Sequence, residues 1–184
     1  MTTHIALLRG INVGGHKKVA MGDLRTLLTR LGFTGAQTLL QSGNAVFESR
    51  ARIGSAKLER VLEAELEKRL GVQADFMVRT PAEWKRVVAR NPFPAEAEAD
   101  PGHLLVFFLK RAPAVADVGA LQAAIPGRER VHVEGRHAWI AFPDGMGTSR
   151  LSIALLERAL RTRGTSRNWN TVLKVGALIG MRDS

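Results

Sequence analysis

The segment from Arg9 to Lys18 is the first whose residue types could support chemistry, because it is rich in glycine and ends in basic residues. Gly10 and Gly15 have the spacing of a phosphate loop. His16, however, stands where the Walker pattern needs lysine, and Lys17 where it needs serine or threonine. The dinucleotide-binding pattern Gly-x-Gly-x-x-Gly is also missing. These departures exclude a P-loop NTPase and a Rossmann enzyme. They leave either a plain strand-to-helix turn or a loop that presents backbone N–H groups to an anion.

A second polar segment is the tripeptide Ser42-Gly43-Asn44. Glycine and asparagine tolerate positive φ, so the simplest interpretation is a hairpin turn between two strands. The functional interpretation makes Ser42 and Asn44 polar groups that orient a ligand. Ser42 does not lie in a Gly-x-Ser-x-Gly pattern, and no His–Asp pair is evident near it, so nothing indicates a catalytic nucleophile.

The third polar segment runs from Thr165 to Thr171 and carries more polar groups than a simple turn requires. Asn168 can cap the helix that follows, and the N-terminus of that helix would offer N–H groups to an anion. Arg167 could add a bidentate donor. Trp169 could stack on a base or pack inward, and Asn170 could orient a ligand. The simpler alternative is a capped helix with a core tryptophan.

Metal and cofactor chemistry finds no support in the sequence. The chain has no cysteine, and its histidines do not form the helical i, i+4 pattern of a zinc site with a carboxylate partner. Glu59, Glu63 and Glu67 are expected on a solvated helix face rather than as a catalytic carboxylate pair. Phe107 and Phe108 lie in a strand that lacks the aromatic signature of an RNA-recognition domain. We therefore expect no metal and no cofactor.

Charge is the clearest feature of the composition. The chain has 184 residues, 45% of them apolar, and a formal net charge of +10. Clustered cations attract phosphates, although an excess of arginine on solvated faces would give the same composition. No apolar run approaches the roughly 18 residues that a bilayer span needs, and the first apolar run is too short for a signal peptide. We expect a cytoplasmic protein without membrane contact. The densest basic stretch, 145–175, contains Arg150, Arg158, Arg161, Arg163, Arg167 and Lys174, against the single acidic residue Glu157.

Hydrophobic periodicity predicts a duplicated α+β fold. Residues 1–79 read as β-α-β-β-α-β. Asn91-Pro92-Phe93 reads as a helix stop with an apolar anchor, and the alternative is a loop that contacts substrate. Residues 95–102 read as an acidic linker loop, after which the same pattern starts again. We therefore predict two ferredoxin-like halves, 1–94 and 103–184, with mainly antiparallel sheets and a C-terminal helix. Residue identity does not repeat between the halves.

The predicted topology places two of the polar segments together. A β-α-β crossover is right-handed and keeps strands one and two parallel, whereas a hairpin returns the chain antiparallel. The loop after strand one and the hairpin after strand two then emerge at the same edge of the sheet. Residues 10–18 and Ser42-Gly43-Asn44 should therefore be neighbours.

The chain also resembles a known family. The residues that carry the resemblance are Ala6 to Gly15 with Met21 and Leu24, Gln41 to Asn44 with Phe47, Asn91 to Phe93, and Thr165 with Arg167 to Val172. Together and in this order they resemble the bacterial family called domain of unknown function 1697. The resemblance covers nearly the whole chain and implies two ferredoxin-like halves. It implies no activity.

The leading hypothesis is that the protein binds a phosphate-bearing ligand, a nucleotide or a nucleic acid, through a basic glycine-rich loop. One alternative is an enzyme that acts on a small metabolite with Asn, Ser and Arg groups of the same cleft, and another is a structural or oligomerisation module. The sequence does not define the oligomeric state or whether a reaction is catalysed. The candidate ligand-binding residues are Arg9, Gly10, Asn12, Gly14, Gly15, Lys17, Ser42, Gly43, Asn44, Arg167, Asn168, Trp169 and Asn170.

Overall fold

The computed structural model describes residues 1–180. These residues form two four-stranded antiparallel sheets with helices, which confirms the predicted α+β fold with duplicated halves. The strands are β1 (Thr2–Leu8), β2 (Thr34–Leu39), β3 (Asn44–Ser49), β4 (Phe76–Arg79), β5 (Leu104–Leu109), β6 (Arg130–Glu134), β7 (His137–Ala141) and β8 (Gly164–Asn168). The helices are α1 (Met21–Arg30), α2 (Ser55–Leu70), α3 (Pro81–Ala89), α4 (Pro94–Ala99), α5 (Val115–Ala124), α6 (Ile153–Leu160) and α7 (Trp169–Leu178). No helix in this part of the chain is both long and apolar enough to cross a membrane.

Both sheets have the same strand order, β2-β3-β1-β4 in the first and β6-β7-β5-β8 in the second. Every neighbouring pair is antiparallel. Because β1 and β2 both run antiparallel to β3, they run parallel to each other, as the crossover rule predicts. The loop after β1 and the β2–β3 turn therefore leave the sheet at one edge.

The chain divides into two compact units. The first runs from Met1 to Arg86 and includes the carboxyl-terminal segment that begins at Val175, and the second runs from Val87 to Lys174. The core of the first unit includes Leu24, Leu58 and Phe47, so it lies between the sheet and helices α1 and α2. The second unit has its own core between its sheet and helices α5 and α6.

The register of the sheets shows the duplication at the level of single residues. Ile5 pairs with Arg79 in the first sheet, and Val106 pairs with Arg167 in the second. Ile5 and Val106 each lie three residues before the last residue of their strand. Both arginines are buried. Each unit therefore carries a buried guanidinium at an equivalent position, although the sequences of the halves show no obvious repeat.

Two glutamates of α2, Glu59 and Glu63, accept hydrogen bonds from the edge strand β4, which corrects the prediction of a solvated face for them, whereas Glu67 is exposed as predicted. Glu59 is 3% exposed, and its carboxylate accepts a hydrogen bond from the Val78 N–H at 2.8 Å. Glu63 accepts one from the Phe76 N–H at 2.9 Å. The outward N–H groups of an edge strand need acceptors, and carboxylates one helical turn apart provide them. In the second unit, Glu157 accepts from the Gly164 N–H at 3.0 Å in the same way.

The segment 95–102 is not the predicted linker loop. It contains most of α4 and enters a 3-10 turn over Pro101–His103. Proline suits the first helical position, and the alternating Ala and Glu residues that follow are good helix formers. Glu96 of this helix forms an ion pair with Arg130, whose guanidinium carbon lies 4.9 Å from the centre of the Phe93 ring. The acidic segment is therefore built into the second unit. The predicted helix stop at Asn91 is confirmed, since its Oδ1 accepts from the Phe93 N–H at 3.0 Å.

A buried histidine lies in β1. His4 Nε2 is 2.8 Å from Ser49 Oγ, and the Ser49 hydroxyl donates to the Ala51 carbonyl at 2.7 Å. Nε2 must therefore carry the proton and donate to Ser49. Nδ1 is buried and has no hydrogen-bond partner among residues 1–180. Burial lowers the pKa of His4 below its usual value of 6.5.

This arrangement predicts a pH-dependent stability. The folded pKa of His4 is lower than the unfolded one, so the unfolded state binds a proton first as the pH falls. The His4 contribution to stability is complete above about pH 6.5 and is lost progressively as the pH falls towards the lower folded pKa. Urea unfolding at a series of pH values should show this loss in the wild type and a smaller loss in His4→Gln. Equal pH dependence in the two proteins would contradict the assignment.

Candidate functional site

The predicted meeting of the two loops is confirmed in the first unit. We call residues 10–18 the glycine loop and residues 40–44 the Ser42 turn. The Leu8 N–H, at the base of the glycine loop, donates to the Gly43 carbonyl at 2.9 Å. The Asn12 side-chain Nδ2 donates to the Gln41 carbonyl at 2.7 Å. Two segments about 30 residues apart in the chain are therefore joined by direct hydrogen bonds.

Gly43 packs tightly against the base of the glycine loop. Its φ is +81°, and a Cβ added there would lie 2.8 Å from Ile11 Cδ1 and 2.9 Å from Leu8 Cβ. Both the backbone angle and the available space require glycine. The tripeptide that the sequence indicates as a turn is thus also the contact surface for the neighbouring loop.

Asn12 is the side chain that holds the glycine loop in place. Its Nδ2 donates to the carbonyls of Val19, at 2.9 Å, and Gln41, at 2.7 Å, while its Oδ1 accepts from the Val19 N–H at 2.9 Å. Its φ is +54°, a conformation that asparagine tolerates better than most residues. The side-chain amide is fully used within the chain. Asn12 therefore positions the loop, and its side-chain amide is hydrogen-bonded within the chain before any ligand binds.

The glycine loop is a miniature hairpin. The Asn12 N–H donates to the Lys17 carbonyl at 3.2 Å, and the His16 N–H donates to the Val13 carbonyl at 3.1 Å. Gly14 and Gly15 form its tip with φ values of +60° and +79°. Two successive positive φ angles are characteristic of the type I′ turn of a two-residue hairpin. The turn therefore requires glycine at both positions. The same residues are the ones whose amides could reach a ligand.

The tip of the glycine loop is open to solvent. Gly10, Gly14 and Gly15 are exposed, and their N–H groups donate to no other group in residues 1–180. The side chains of Lys17 and Lys18 are exposed beside them. The glycine loop therefore carries exposed N–H donors and exposed cations within one short segment of the chain.

Two exposed apolar side chains accompany these polar groups. Val13, at the start of the tip, is 68% exposed, and Leu40, at the start of the Ser42 turn, is 48% exposed. Leu40 also has a φ of +60°, which is uncommon for a leucine. Nothing in the sequence singled out Leu40, because positive φ in a leucine cannot be predicted from its type.

The polar residues of the Ser42 turn mostly support the turn itself. Asn44 is buried, and its Nδ2 donates to the Leu39 carbonyl at 2.7 Å and to Ser42 Oγ at 3.1 Å. Ser42 is exposed. Arg9, at the other side of the loop base, lies 3.9 Å from the Asp75 carboxylate and is partly exposed. Ser42 and Arg9 are accordingly the side chains of this group that face solvent.

The remaining candidate residues belong to the second unit. Arg167 is 6% exposed, and its Nη1 donates to Thr165 Oγ1 and to the Ser166 carbonyl, both at 2.8 Å. Burial lowers the pKa of Arg167 to about 10, so the guanidinium is still protonated at neutral pH. Its charge lies inside the unit, where it supports β8 rather than facing solvent.

The α7 cap follows the prediction, and the tryptophan adopts the inward alternative. The Thr171 N–H donates to Asn168 Oδ1 at 3.0 Å, which is the expected N-cap bond. Trp169 is buried, so it packs inward and offers no stacking platform, whereas Asn170 is exposed. Phe107 and Phe108 are fully buried as well.

His4 and Ser49 resemble a Ser–His dyad in spacing, but the proton positions are reversed. The imidazole donates to a hydroxyl whose own proton is directed to the Ala51 carbonyl, so His4 cannot accept the proton of Ser49 in this arrangement. Both residues are buried. The pair stabilises the fold and lacks the features of a catalytic centre.

Outside these loops, the described residues form cavities but no metal-ligand cluster. No group of three or more His, Asp or Glu side chains in residues 1–180 could hold a metal ion. A polar cavity of about 220 Å³ lies in the second unit between residues 126–129 and 144–150. A smaller one, about 150 Å³, lies between α1 and the end of α2. The glycine loop lines neither of these cavities.

The duplicated sheets and the glycine loop define a class of α+β proteins with two ferredoxin-like halves. The sequence profile of the family described as "Protein of unknown function (DUF1697)" matches residues 1–139, and the chain belongs to this family. The structure of the conserved bacterial protein SP0830 from Streptococcus pneumoniae is similar, with a TM-score of 0.75 and 26% sequence identity. The match covers 97% of this chain and 98% of that one. No curated protein matches the chain.

Removal of the Asn12 side chain should loosen the glycine loop. Asn12→Ala eliminates three hydrogen bonds and places alanine at positive φ, so we expect a loss of about 2 kcal/mol in the free energy of unfolding. Asn170→Ala, at an exposed position, is the matched control and should cost less than about 0.5 kcal/mol. Chemical denaturation measures both. A small loss for Asn12→Ala would contradict its positioning role.

Position 43 needs glycine for two reasons, its positive φ and its close packing, and two variants can measure these effects separately. Gly43→Ala should lose about 3 kcal/mol, since positive φ costs 1–2 kcal/mol and the crowding adds to it. Gly10→Ala also has positive φ but meets no atom within 4 Å, so it should lose only about 1 kcal/mol. Urea denaturation of the two variants checks the difference. Equal losses would mean that position 43 does not approach Leu8 and Ile11 this closely.

Proposed function

We propose that the glycine loop and the Ser42 turn form a binding site for a phosphate-bearing ligand, either a nucleotide or a nucleic acid. The observation that carries the proposal is that the exposed tip residues Gly14 and Gly15 and the exposed side chains of Lys17 and Lys18 belong to one short loop. Phosphate oxygens accept hydrogen bonds from backbone N–H groups, and successive amides in a turn are a common anion site.

The rigidity of the loop supports this proposal. A ligand that binds a flexible loop must offset the conformational entropy lost on ordering it. The Asn12 bonds to Val19 and Gln41 order the loop before any ligand is present. Asn12 and Asn44 therefore act as supports, and the direct contacts come from the glycine amides, from Lys17 and from the exposed Ser42 hydroxyl. Arg9 lies at the base of the loop, where its guanidinium pairs with the Asp75 carboxylate at 3.9 Å.

A second candidate function is an interaction module, and the exposure of Val13 and Leu40 favours it. These apolar side chains start the tip of the glycine loop and the Ser42 turn, two segments that the Asn12–Gln41 bond joins. Exposed apolar residues on a structured surface often mark protein contacts. In this alternative the turns would pair with a partner protein or with a second copy of the chain.

Phosphate binding at the loop can be tested by NMR titration at low ionic strength with inorganic phosphate, a nucleoside monophosphate and a short oligonucleotide. We expect the amide signals of Gly14 and Gly15 to shift. The double variant Lys17→Gln/Lys18→Gln should weaken the affinity roughly five- to tenfold, because two charge-assisted contacts are lost. Lys57→Gln/Lys68→Gln, with the same charge change on exposed α2 positions, is the control and should leave the affinity nearly unchanged.

Absence of a shift with all three probes at low salt would contradict the proposal, since electrostatic association is strongest there. An equal effect of the two lysine pairs would show that net charge, rather than the loop, drives binding. Concentration-dependent shifts of Val13 and Leu40 without added ligand would favour the interaction module.

A further inference from the structure

The second unit gathers basic residues at the sheet edge that corresponds to the glycine loop. Three separate segments meet there, namely the end of β5, the β6–β7 turn and the segment before β8. The Leu109 N–H donates to the Arg136 carbonyl at 2.9 Å, and the Lys110 N–H donates to the Arg163 carbonyl at 2.8 Å. The Arg111 Nη2 donates to the Arg161 carbonyl at 3.3 Å. These bonds bring residues from distant parts of the sequence to one place.

We call this set the cationic edge. Its members are Lys110, Arg111, Arg136, Arg161 and Arg163. Arg111, Arg161 and Arg163 are exposed, and the other two are partly exposed. The spacing of these residues along the chain gives no sign that they meet, because only the strand order brings the three segments together.

Acidic residues also lie at the cationic edge, and one of them, Glu134 at the end of β6, pairs with Arg90 at 2.9 Å. Asp117 lies 3.3 Å from Arg161 Nε. Glu157 directs its carboxylate to the Gly164 N–H, where it protects the edge strand. The five basic side chains outnumber these acidic residues, so the cationic edge carries a positive formal charge. Such a surface attracts polyanions.

The charge at this sheet edge differs between the two units. In the first unit the Arg9 N–H donates to the Asp75 carbonyl, and in the second the Lys110 N–H donates to the Arg163 carbonyl. Arg163 thus occupies the position of Asp75, so an acidic residue in one unit is replaced by a basic residue in the other. The same backbone scaffold carries a short glycine loop in one case and a set of guanidinium groups in the other.

We propose that the cationic edge binds the phosphodiester backbone of a nucleic acid. A single phosphate engages one or two guanidinium groups, whereas five basic side chains from three segments suit a ligand with repeated phosphates. The guanidinium group matches a phosphate through two parallel hydrogen bonds. Backbone contacts carry no sequence information, so binding is independent of base sequence. This inference concerns other residues and another unit than the glycine-loop proposal, and either can fail alone.

The test is the salt dependence of binding between the full-length protein and a labelled single-stranded oligonucleotide, followed by fluorescence anisotropy. The triple variant Arg111→Gln/Arg136→Gln/Arg163→Gln should bind at least about tenfold more weakly at low salt. The slope of log K against log salt should fall by about 2, since each lost phosphate contact contributes roughly 0.7 for a single strand. The Arg→Lys triple variant at the same positions keeps the charge and should restore most of the slope.

The matched control is Arg52→Gln/Arg60→Gln/Arg86→Gln, which removes three exposed arginines of the first unit. If this control lowers the slope as much as the edge variant, or if the edge variant leaves the slope unchanged, the inference is wrong. Competition by polyglutamate as strong as that by unlabelled oligonucleotide would point to an acidic protein partner and would also overturn it. Circular dichroism melting of every variant separates lost binding from lost folding.

The two proposals give different results in these measurements. The edge variant should keep the phosphate-induced shifts of Gly14 and Gly15, because it leaves the glycine loop intact. Loss of those shifts in the edge variant would mean that the cationic edge does not act as a site of its own.

Discussion

The hydrogen bond from the Leu8 N–H to the Gly43 carbonyl is the contact on which the arrangement of the first unit's loops depends. It extends the β1–β3 pairing beyond the sheet, and only glycine at position 43 leaves room for Leu8 and Ile11. Asn12 then bonds the glycine loop to the Gln41 carbonyl of the same turn. The exposed amides at the loop tip acquire a fixed direction because these contacts sit beneath them. In the proposed site, the amides of Gly14 and Gly15 contact the ligand. The side chains of Asn12 and Asn44 hold the two loops in place without contacting it.

The duplication explains how one scaffold carries two different surfaces. In each unit a helix glutamate accepts the N–H of the first residue of the edge strand, and a buried arginine occupies the same register position. These shared features keep the sheets equivalent. The loops at the corresponding sheet edge have diverged, with a glycine-rich hairpin in the first unit and several guanidinium groups in the second. Conserved geometry with variable loops is a common way for a fold to acquire separate binding surfaces.

The fold and the meeting of the loops could be predicted from the sequence, because crossover handedness and hairpin geometry depend on element order alone. The burial of Glu59 could not, since a charged residue on a helix reads as solvated until the edge strand beside it is known. The short helix α4 was missed because its acidic and proline-flanked sequence also suits a loop. Arg167 looked like a ligand-facing donor, and only the register of β8 shows that it is buried. The same topology rule places the end of β5 beside the β6–β7 turn, whereas the position of Arg161 and Arg163 at the cationic edge depends on the pairing of β8 with β5, which the sequence alone does not define.

The most direct test of the central claim is a crystal structure of the protein grown at low ionic strength with a nucleoside monophosphate. The account predicts a phosphate within hydrogen-bond distance of the Gly14 and Gly15 amides, with the Asn12 side chain still bonded to the Gln41 carbonyl. A nucleotide bound elsewhere while the loop tip meets only solvent, or a glycine loop detached from the Ser42 turn, would contradict it.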